Sequence, residues 1–265
     1  MLSIPSKTIK EIRDVSGIPV YIRRRLPDNI DILIRWGSTR PAMSNTTYNS
    51  IQAIKLTADK PRCRQVLAAA GVPVPQNGTD IFPCIGRTRK HSGGKGLWFC
   101  QTPLEIEIAK MEGADYFSQF YPKTKEFRVH IGCGKVILYS EKLGDKFGTV
   151  IWNHDITGFK FKHIGRGERR KDIIDLAKKA IEVVGLDFGA VDILADPLYP
   201  QLPQAVVCEI NSAPGLSPMA TKKYSEYFNG LLTSQEEYGE DNEDEEAKRA
   251  AMQRQNRMYA VSVEE

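Results

Sequence analysis

What this 265-residue chain lacks narrows its chemistry before any motif is read. Its five cysteines, Cys63, Cys84, Cys100, Cys133 and Cys208, are odd in number and contain no C-x-x-C pair, so neither a disulfide framework nor a zinc knuckle is expected. Buried free thiols in a reducing compartment fit that pattern. The four histidines show no H-E-x-x-H or comparable spacing, which argues against a zinc site. No signal peptide and no bilayer-length apolar run is visible, so a cytoplasmic protein with no membrane partner is expected. Net charge is only +4, so nucleic acid is not indicated as a partner, and the runs Arg23-Arg-Arg25 and Arg87-Thr-Arg-Lys90 read as solvated faces. A Walker A loop is missing too: Gly132-Cys-Gly-Lys135 is followed by Val136 and reads as a hairpin turn.

What is present is a globular composition, 41% hydrophobic and 26% charged, long enough for one large or two small domains. Its most informative stretch is a pair of strand-like runs, Asp187-Phe-Gly-Ala-Val-Asp192-Ile-Leu-Ala195 and Val206-Val-Cys-Glu209-Ile-Asn211-Ser-Ala-Pro-Gly215. Side chains alternate along a strand, so Val207, Glu209 and Asn211 are expected on one face and Val206, Cys208 and Ile210 on the other. Asp192 stands opposite the apolar set of Val191, Ile193 and Ala195. A hairpin through the proline-rich 196–204 connection would bring it beside Glu209. Asp, Glu and Asn form an all-oxygen cluster, which suits magnesium because that ion keeps waters and substrate phosphates in its shell. The plain alternative is a set of exposed polar residues on a half-solvated hairpin.

Taken in order, Ile18 to Ile22 and Ile30 to Ile34 read as short strands, the second entering a loop broken by Gly37 and Pro41. Arg35 and Trp36 could hold an anionic or planar group there, with a structural tryptophan the stronger expectation. Asn49 is placed to cap a helix over 50–58, and Asp59 a second helix that opens with Lys60 and Pro61 and stops at Gly71. Phe82 to Cys100 reads as strand, glycine-rich loop, strand. In that loop Ser92, Gly93, Gly94, Lys95 and Gly96 leave backbone N–H groups free to cradle phosphate, with Arg87 and Arg89 adding charge; a plain flexible hairpin turn is the equal alternative.

Thr102 and Glu105 make a capping box for a helix closed by Gly113. Tyr116 to Tyr121, with Gln119 and Phe120 inside it, is a short apolar strand. An alternating hairpin around Gly132 and Gly134 then sets Glu126, Arg128 and His130 on one face, either as a functional acid–base group or as a cross-strand surface set. Lys142, Trp152, Asn153 and His154 fall in a turn-rich stretch. Residues 168–184 form an amphipathic helix stopped by Gly185. From about residue 233 the chain is too acidic to bury, Glu236 to Glu246 above all, so 233–265 is expected to be a mobile solvated tail, with partner binding as the alternative.

The order of these parts over roughly residues 55–220 resembles the ATP-grasp superfamily, and closely the branch of the glutamate ligases that modify ribosomal proteins and the D-alanine–D-alanine ligases. Val191-Asp192-Ile-Leu194 and Glu209-Ile-Asn211-Ser-Ala-Pro-Gly215 carry most of that resemblance. It implies an α+β fold whose two subdomains grip ATP, here over 55–232 with a lid at about 76–118, after a short N-terminal α/β segment over 1–54. It also implies that Lys60 and Arg87 contact phosphates, Arg87 standing where a second lysine is usual, and that Ser92 to Gly96 form the phosphate lid. Gln119, Phe120 and Tyr121 would present the backbone that reads adenine, with Glu126 in the same ATP-binding set where an aspartate is usual. Arg128 would hold the phosphates or an acyl-phosphate, Lys142 and Asn153 would face the reacting phosphate, and Asp192, Glu209 and Asn211 would hold Mg2+, or Mn2+ in its place.

The implied activity is that of an ATP-dependent carbon–nitrogen ligase acting on small-molecule or peptide substrates. A carboxylate takes the γ-phosphate to give an acyl-phosphate and ADP, and an amine displaces the phosphate. Such chemistry rests on positioning and electrostatics, so the absence of a visible Ser-His-Asp or Cys-His set is consistent with it. A kinase that passes the γ-phosphate to a hydroxyl and a non-catalytic Mg-ATP-binding protein are the competing readings.

Overall fold

The computed structural model describes residues 12, 14, 17–18, 20–22, 26, 30–89, 96–144, 158–237 and 259–263. The strands in chain order are β1 (Val20–Ile22), β2 (Ile30–Trp36), β3 (Ser44–Tyr48), β4 (Cys84–Arg87), β5 (Leu97–Cys100), β6 (Tyr116–Gln119), β7 (Lys123–Gly132) and β8 (Lys135–Gly144). They continue with β9 (Phe159–His163), β10 (Phe188–Pro197), β11 (Ala205–Asn211) and β12 (Tyr259–Val263). The helices are α1 (Ile51–Ala58), α2 (Lys60–Ala69), α3 (Pro103–Met111), α4 (Lys171–Val184) and α5 (Pro218–Glu237). The chain divides into two compact units, one of Met1–Lys55, Leu186–Phe188 and Ser212–Glu265, the other of Leu56–Gly185 and Gly189–Asn211. Among the described residues no helix is long and apolar enough to cross a membrane.

The first unit is built on a four-stranded sheet in the order β1-β12-β2-β3, with every pair parallel. A parallel strand is covered on both faces, and β2 is accordingly buried almost without interruption, from Ile30 through Ile34 to Trp36. Trp36 is fully buried against Phe188 and against Tyr224 and Phe228 of α5, with ring centroids 5.8, 5.0 and 6.2 Å away, so its role is structural. Gly37 follows at φ +69, and a β-carbon there would lie 2.8 Å from that of Ala213, so only glycine fits this turn. Two expectations are corrected in this unit. Tyr259 to Val263 is a strand between β1 and β2, and α5 runs on to Glu237, so 233–265 is not one mobile tail; residues 238–258, which hold most of the acidic run, lie outside the described residues.

The second correction concerns Asn49, which does not cap α1. Ser50 does, its hydroxyl accepting from the Ala53 amide at 3.1 Å. Asn49 is fully buried at φ +64 and ties distant backbone together instead. Its Oδ1 accepts from the amides of Asp187 and Phe188 at 2.9 and 3.1 Å, its Nδ2 donates to the Phe188 carbonyl at 3.0 Å, and its own amide donates to the Asp187 carboxylate at 2.6 Å. Asparagine suits both tasks, because it tolerates the left-handed region and carries a donor and an acceptor on one short side chain.

The second unit holds two sheets. The larger has the order β11-β10-β7-β8-β9, and α4 packs on it against β7 and β11 through Ile173, Ala177, Ala180, Ile181 and Val184. That stripe follows from helical spacing, and Gly185 at φ +72 ends the helix as expected. The smaller sheet, β5-β4-β6, is antiparallel, and its core of Cys84, Cys100, Ile106, Ala109 and Phe117 is closed by α3. The capping box that starts α3 is formed as expected, with Glu105 accepting from the Thr102 amide at 2.9 Å. Of the five free thiols, Cys63, Cys84 and Cys100 are buried, whereas Cys133 is exposed in the β7–β8 turn and Cys208 is partly exposed.

Replacing Asn49 by alanine is expected to lower stability by about 3 kcal/mol, because it orphans buried amides and leaves a left-handed backbone without its preferred residue. Ser50→Ala should cost only about 1 kcal/mol as a lost helix cap. Urea unfolding of the two variants beside the natural chain measures both, and equal losses would contradict these separate roles.

Candidate functional site

Two neighbouring strands position the carboxylates. In the antiparallel β10–β11 ladder Asp192 is the direct partner of Glu209, and Ala190 of Asn211. The register slips by one residue beyond that rung, because Ile193 pairs with Val207 and Cys208 is left over as a bulge. The expected alternation therefore holds from Glu209 to Asn211 and is interrupted at Cys208. The carbonyl freed there accepts from Arg64 of α2 at 3.3 Å, and the Val207 amide donates to Pro73 at 2.8 Å, which ties the edge strand to the segment after α2.

Strands β7 and β8 supply cations. Arg128 reaches across to Asp192 with Nε and Nη2 on the two carboxylate oxygens, each at 2.6 Å, and its guanidinium lies 4.9 Å from the Phe161 ring centroid. This planar two-point contact is one a lysine could not make. Two residues along the β7–β8 hairpin, Glu126 accepts from Lys142 at 2.6 Å through Oε1 and from Lys123 at 2.9 Å through Oε2, while Lys142 stands 4.3 Å from the Phe159 centroid. Ser140, the cross-strand partner of Arg128, hydrogen-bonds His163 Nδ1 at 2.9 Å. Glu126, Arg128 and Lys142 thus stand together as the alternation of β7 and β8 requires.

Electrostatics separates the two acids. Burial pushes the Glu209 carboxyl up, but the charges of Lys60 and Arg87, a hydrogen bond from Asn211 and the charge of Arg128 outweigh it and hold the group well below the usual carboxylate range. Burial raises Asp192, opposed by the bidentate Arg128. Lys60, at the start of α2, and Arg87, at the end of β4, therefore both act on Glu209. Two glycines shape the hairpin carrying Arg87: a β-carbon on Gly86 would meet Phe117 at 2.8 Å, and one on Gly96 would meet the Thr88 hydroxyl at 2.7 Å.

Gln119, Phe120 and Tyr121, the stretch expected to read adenine, make contacts within the chain. The Gln119 and Phe120 amides already donate to the Gln76 and Pro83 carbonyls at 2.7 and 2.9 Å. The Tyr121 side chain is buried, with its hydroxyl donating to Pro203, so it anchors the β10–β11 connection. Ser92, Gly93, Gly94, Lys95 and Asn153 lie outside the described residues, as do Trp152 and His154. Sequence reasoning missed Lys123, Phe159 and Phe161. The alternating Phe-Lys-Phe-Lys pattern of 159–162 was a strand signal available inside a stretch read as turn-rich.

A divalent cation fits the donors present. Asn211 Nδ2 donates to Glu209 Oε1 at 3.2 Å, which leaves Oδ1 as the acceptor of that amide, and each Asp192 oxygen keeps a lone pair beyond its bond to Arg128. Among the described residues no group of three or more His, Cys, Asp or Glu side chains could by itself hold a metal ion. Two carboxylates and an amide oxygen match an ion that takes the rest of its shell from water and phosphate.

No family model matches the chain, and no curated protein sequence matches it. Solved structures do. The fold is similar to that of the ATP-grasp ligase PsnB complexed with a phosphomimetic variant of its minimal precursor, Mg and ADP: 19% identity, 72% of this chain and 62% of that one, TM-score 0.53. It is similar to the VanG D-Ala:D-Ser ligase from Enterococcus faecalis, at 17% identity over 69% of this chain and 63% of that one, TM-score 0.53. It is also similar to the D-alanine–D-alanine ligase from Bacillus anthracis complexed with ATP, at 14% identity over 72% of each chain, TM-score 0.53. The chain spans less than two thirds of the PsnB and VanG structures. At these identities the likeness is one of fold, and the α+β ATP-grasp architecture is the one expected.

His130, on the same strand as Arg128, gives a pH prediction. Burial and the charges of Arg128 and His163 push its pKa down from 6.5 to about 3. The folded state thus favours the neutral ring: its full contribution is present above pH 6.5 and is lost as pH falls from 6.5 towards 3, by up to about 1.4 kcal/mol per pH unit. Denaturant unfolding between pH 4 and 8 should show this slope in the natural chain and a shallower one in His130→Gln. Parallel curves would rule out His130 as its source.

Proposed function

We propose that the protein is an ATP-dependent carboxylate–amine ligase that works through an acyl-phosphate and releases ADP and phosphate. The observation that carries this reading is Glu209, held ionised directly opposite Asp192 with the charges of Lys60, Arg87 and Arg128 converging on it, in a fold similar to ATP-grasp ligases. Two acids on one sheet, with cations converging on them from that sheet, from α2 and from β4, make a receptor for a polyphosphate that arrives with its own divalent ion.

In this reading Lys60 and Arg87 neutralise the nucleotide phosphates, with Ser92 to Gly96 closing over them. The hinge at Gln119 to Tyr121 receives the base through groups other than the two amides already bonded. Asp192, Glu209 and Asn211 would hold Mg2+, which when bound draws charge from the phosphate oxygens. Arg128, fixed in place by Asp192 and Phe161, and Lys142, fixed by Glu126 and Phe159, offset the charge that builds on the transferring phosphoryl group as the substrate carboxylate attacks. Asn153 joins them at the acyl-phosphate. An amine then attacks the acyl carbon, phosphate leaves, and exclusion of water protects the intermediate from hydrolysis. A small metabolite or a peptide would supply the carboxylate and the amine. We place the ATP-grasp domain over 55–232 on the same grounds.

Incubation with Mg-ATP and pooled amino acids, peptides and metabolites should release phosphate and ADP in equal amounts, only when a carboxylate and an amine are both supplied. Glu209→Ala should lower that rate about 100-fold or more. A stable phosphorylated acceptor in place of free phosphate would identify a kinase, and ATP binding without turnover in every pool would identify a binding protein.

A further inference from the structure

We infer that Glu126 is a positioning residue that holds Lys142 at the reacting face, with Lys123 as the second cation that fixes it in that role. The inference rests on the ligase reading for what Lys142 does and on geometry alone for how it is held. Resemblance put Glu126 among the groups that bind ATP, yet both its oxygens are occupied by ammonium groups, Lys142 at 2.6 Å and Lys123 at 2.9 Å. The Glu126 side chain is only 7% exposed, and those of Lys142 and Lys123 only 11% and 5%. A carboxylate buried between two ammonium groups is committed to holding them.

The arrangement repeats the one at Arg128. There an acid from the next strand grips the cation and a β9 ring, Phe161, lies 4.9 Å away; at Lys142 the acid is Glu126 and the β9 ring is Phe159, at 4.3 Å. Residues 159 and 161 share a strand face, so β9 lays one ring beside each cation. A lysine stem is flexible, and its ammonium is a point charge with three rotatable donors. It becomes a directed group only when something restrains it, and here the restraint is the carboxylate on one side and the ring on the other.

Lys123 explains why a carboxylate can hold Lys142 without cancelling it. A lone Glu–Lys pair is neutral and offers little to an anion. Lys123 brings a second positive charge to that carboxylate, and with Oε2 tied to Lys123 the opposite oxygen is aimed at Lys142. Lys123 opens β7 two residues after Tyr121, the end of the stretch that in this reading receives the base.

The test is selective lysine acylation of the full chain, read by mass spectrometry of the Lys142 peptide, with exposed Lys110 as internal reference. Glu126→Gln should raise Lys142 acylation several-fold, Lys123→Gln should raise it by a smaller factor, and Glu126→Asp should restore protection. Equal acylation of Lys142 in the natural chain and Glu126→Gln overturns the inference. Should Glu126→Gln fail to fold by circular dichroism, Lys123→Gln and Glu126→Asp decide the same question: acylation of Lys142 unchanged in the first overturns the inference, and protection kept in the second supports it.

Kinetics supply the second arm. Glu126→Gln should lower kcat about 100-fold with KM for ATP changed less than threefold, and Glu126→Gln combined with Lys142→Met should be no slower than Lys142→Met alone. A raised KM for ATP with unchanged kcat would mean that the carboxylate contacts nucleotide, and would overturn the inference. A natural chain that protects Lys142 but never turns ATP over would remove the ligase reading and leave the hold of Glu126 on Lys142 standing.

Discussion

Two carboxylates facing each other across neighbouring strands repel, and the larger sheet is arranged around that repulsion. Asp192 and Glu209 share one rung of the β10–β11 ladder, where like charges would destabilise the pairing if left alone. The compensation comes from three places in the chain. Arg128 grips Asp192 from β7, while the charges of Lys60 on α2 and Arg87 on β4 act on Glu209. Because the cations belong to different elements, the pair of acids is satisfied only when α2, the smaller sheet and the larger sheet are all in place.

The bulge at Cys208 belongs to the same constraint. An extra residue in β11 breaks the ladder beside Glu209 and frees a carbonyl, which Arg64 takes from the helix that also carries Lys60. Arg64 is buried, and its Nε and Nη1 have no hydrogen-bond partner among the described residues, so the bulge is held at a cost in unmet donors. One helix thus reaches the strand twice, by charge at Glu209 and by hydrogen bond at Cys208. Bulges commonly re-aim a side chain next to a site, and this one fixes which face Glu209 and Asn211 share.

Much of this was legible in the sequence, for identifiable reasons. Alternation placed Asp192 beside Glu209 and set Glu126, Arg128 and His130 on one face, because a period of two leaves little freedom once a hairpin is assumed. Capping chemistry located the starts of α2 and α3, since a side chain and a backbone amide three residues apart can satisfy each other locally. Other features depend on contacts distant in the chain and had no local signature. Asn49 looked like a cap because its bonds to Asp187 and Phe188 cross about 140 residues, and Lys123 attracted no notice because its meaning lies in Glu126 and Lys142. The strand at Tyr259 to Val263 was hidden by the acidic run before it, as composition averaged over a window conceals five residues that pair with a sheet.

That last strand constrains how the first unit can be made. In the order β1-β12-β2-β3, the strands Val20 to Ile22 and Ile30 to Trp36 leave the ribosome early yet are never neighbours; the segment between them is synthesised more than 220 residues later. During synthesis the buried edge of β2 has no partner on that side, so the unit remains an open sheet while Leu56 to Gly185 can already collapse around its own core. Closure of the N-terminal sheet is therefore a late, non-local event, and translation that halts anywhere before Tyr259 yields a chain with two unpaired parallel edges.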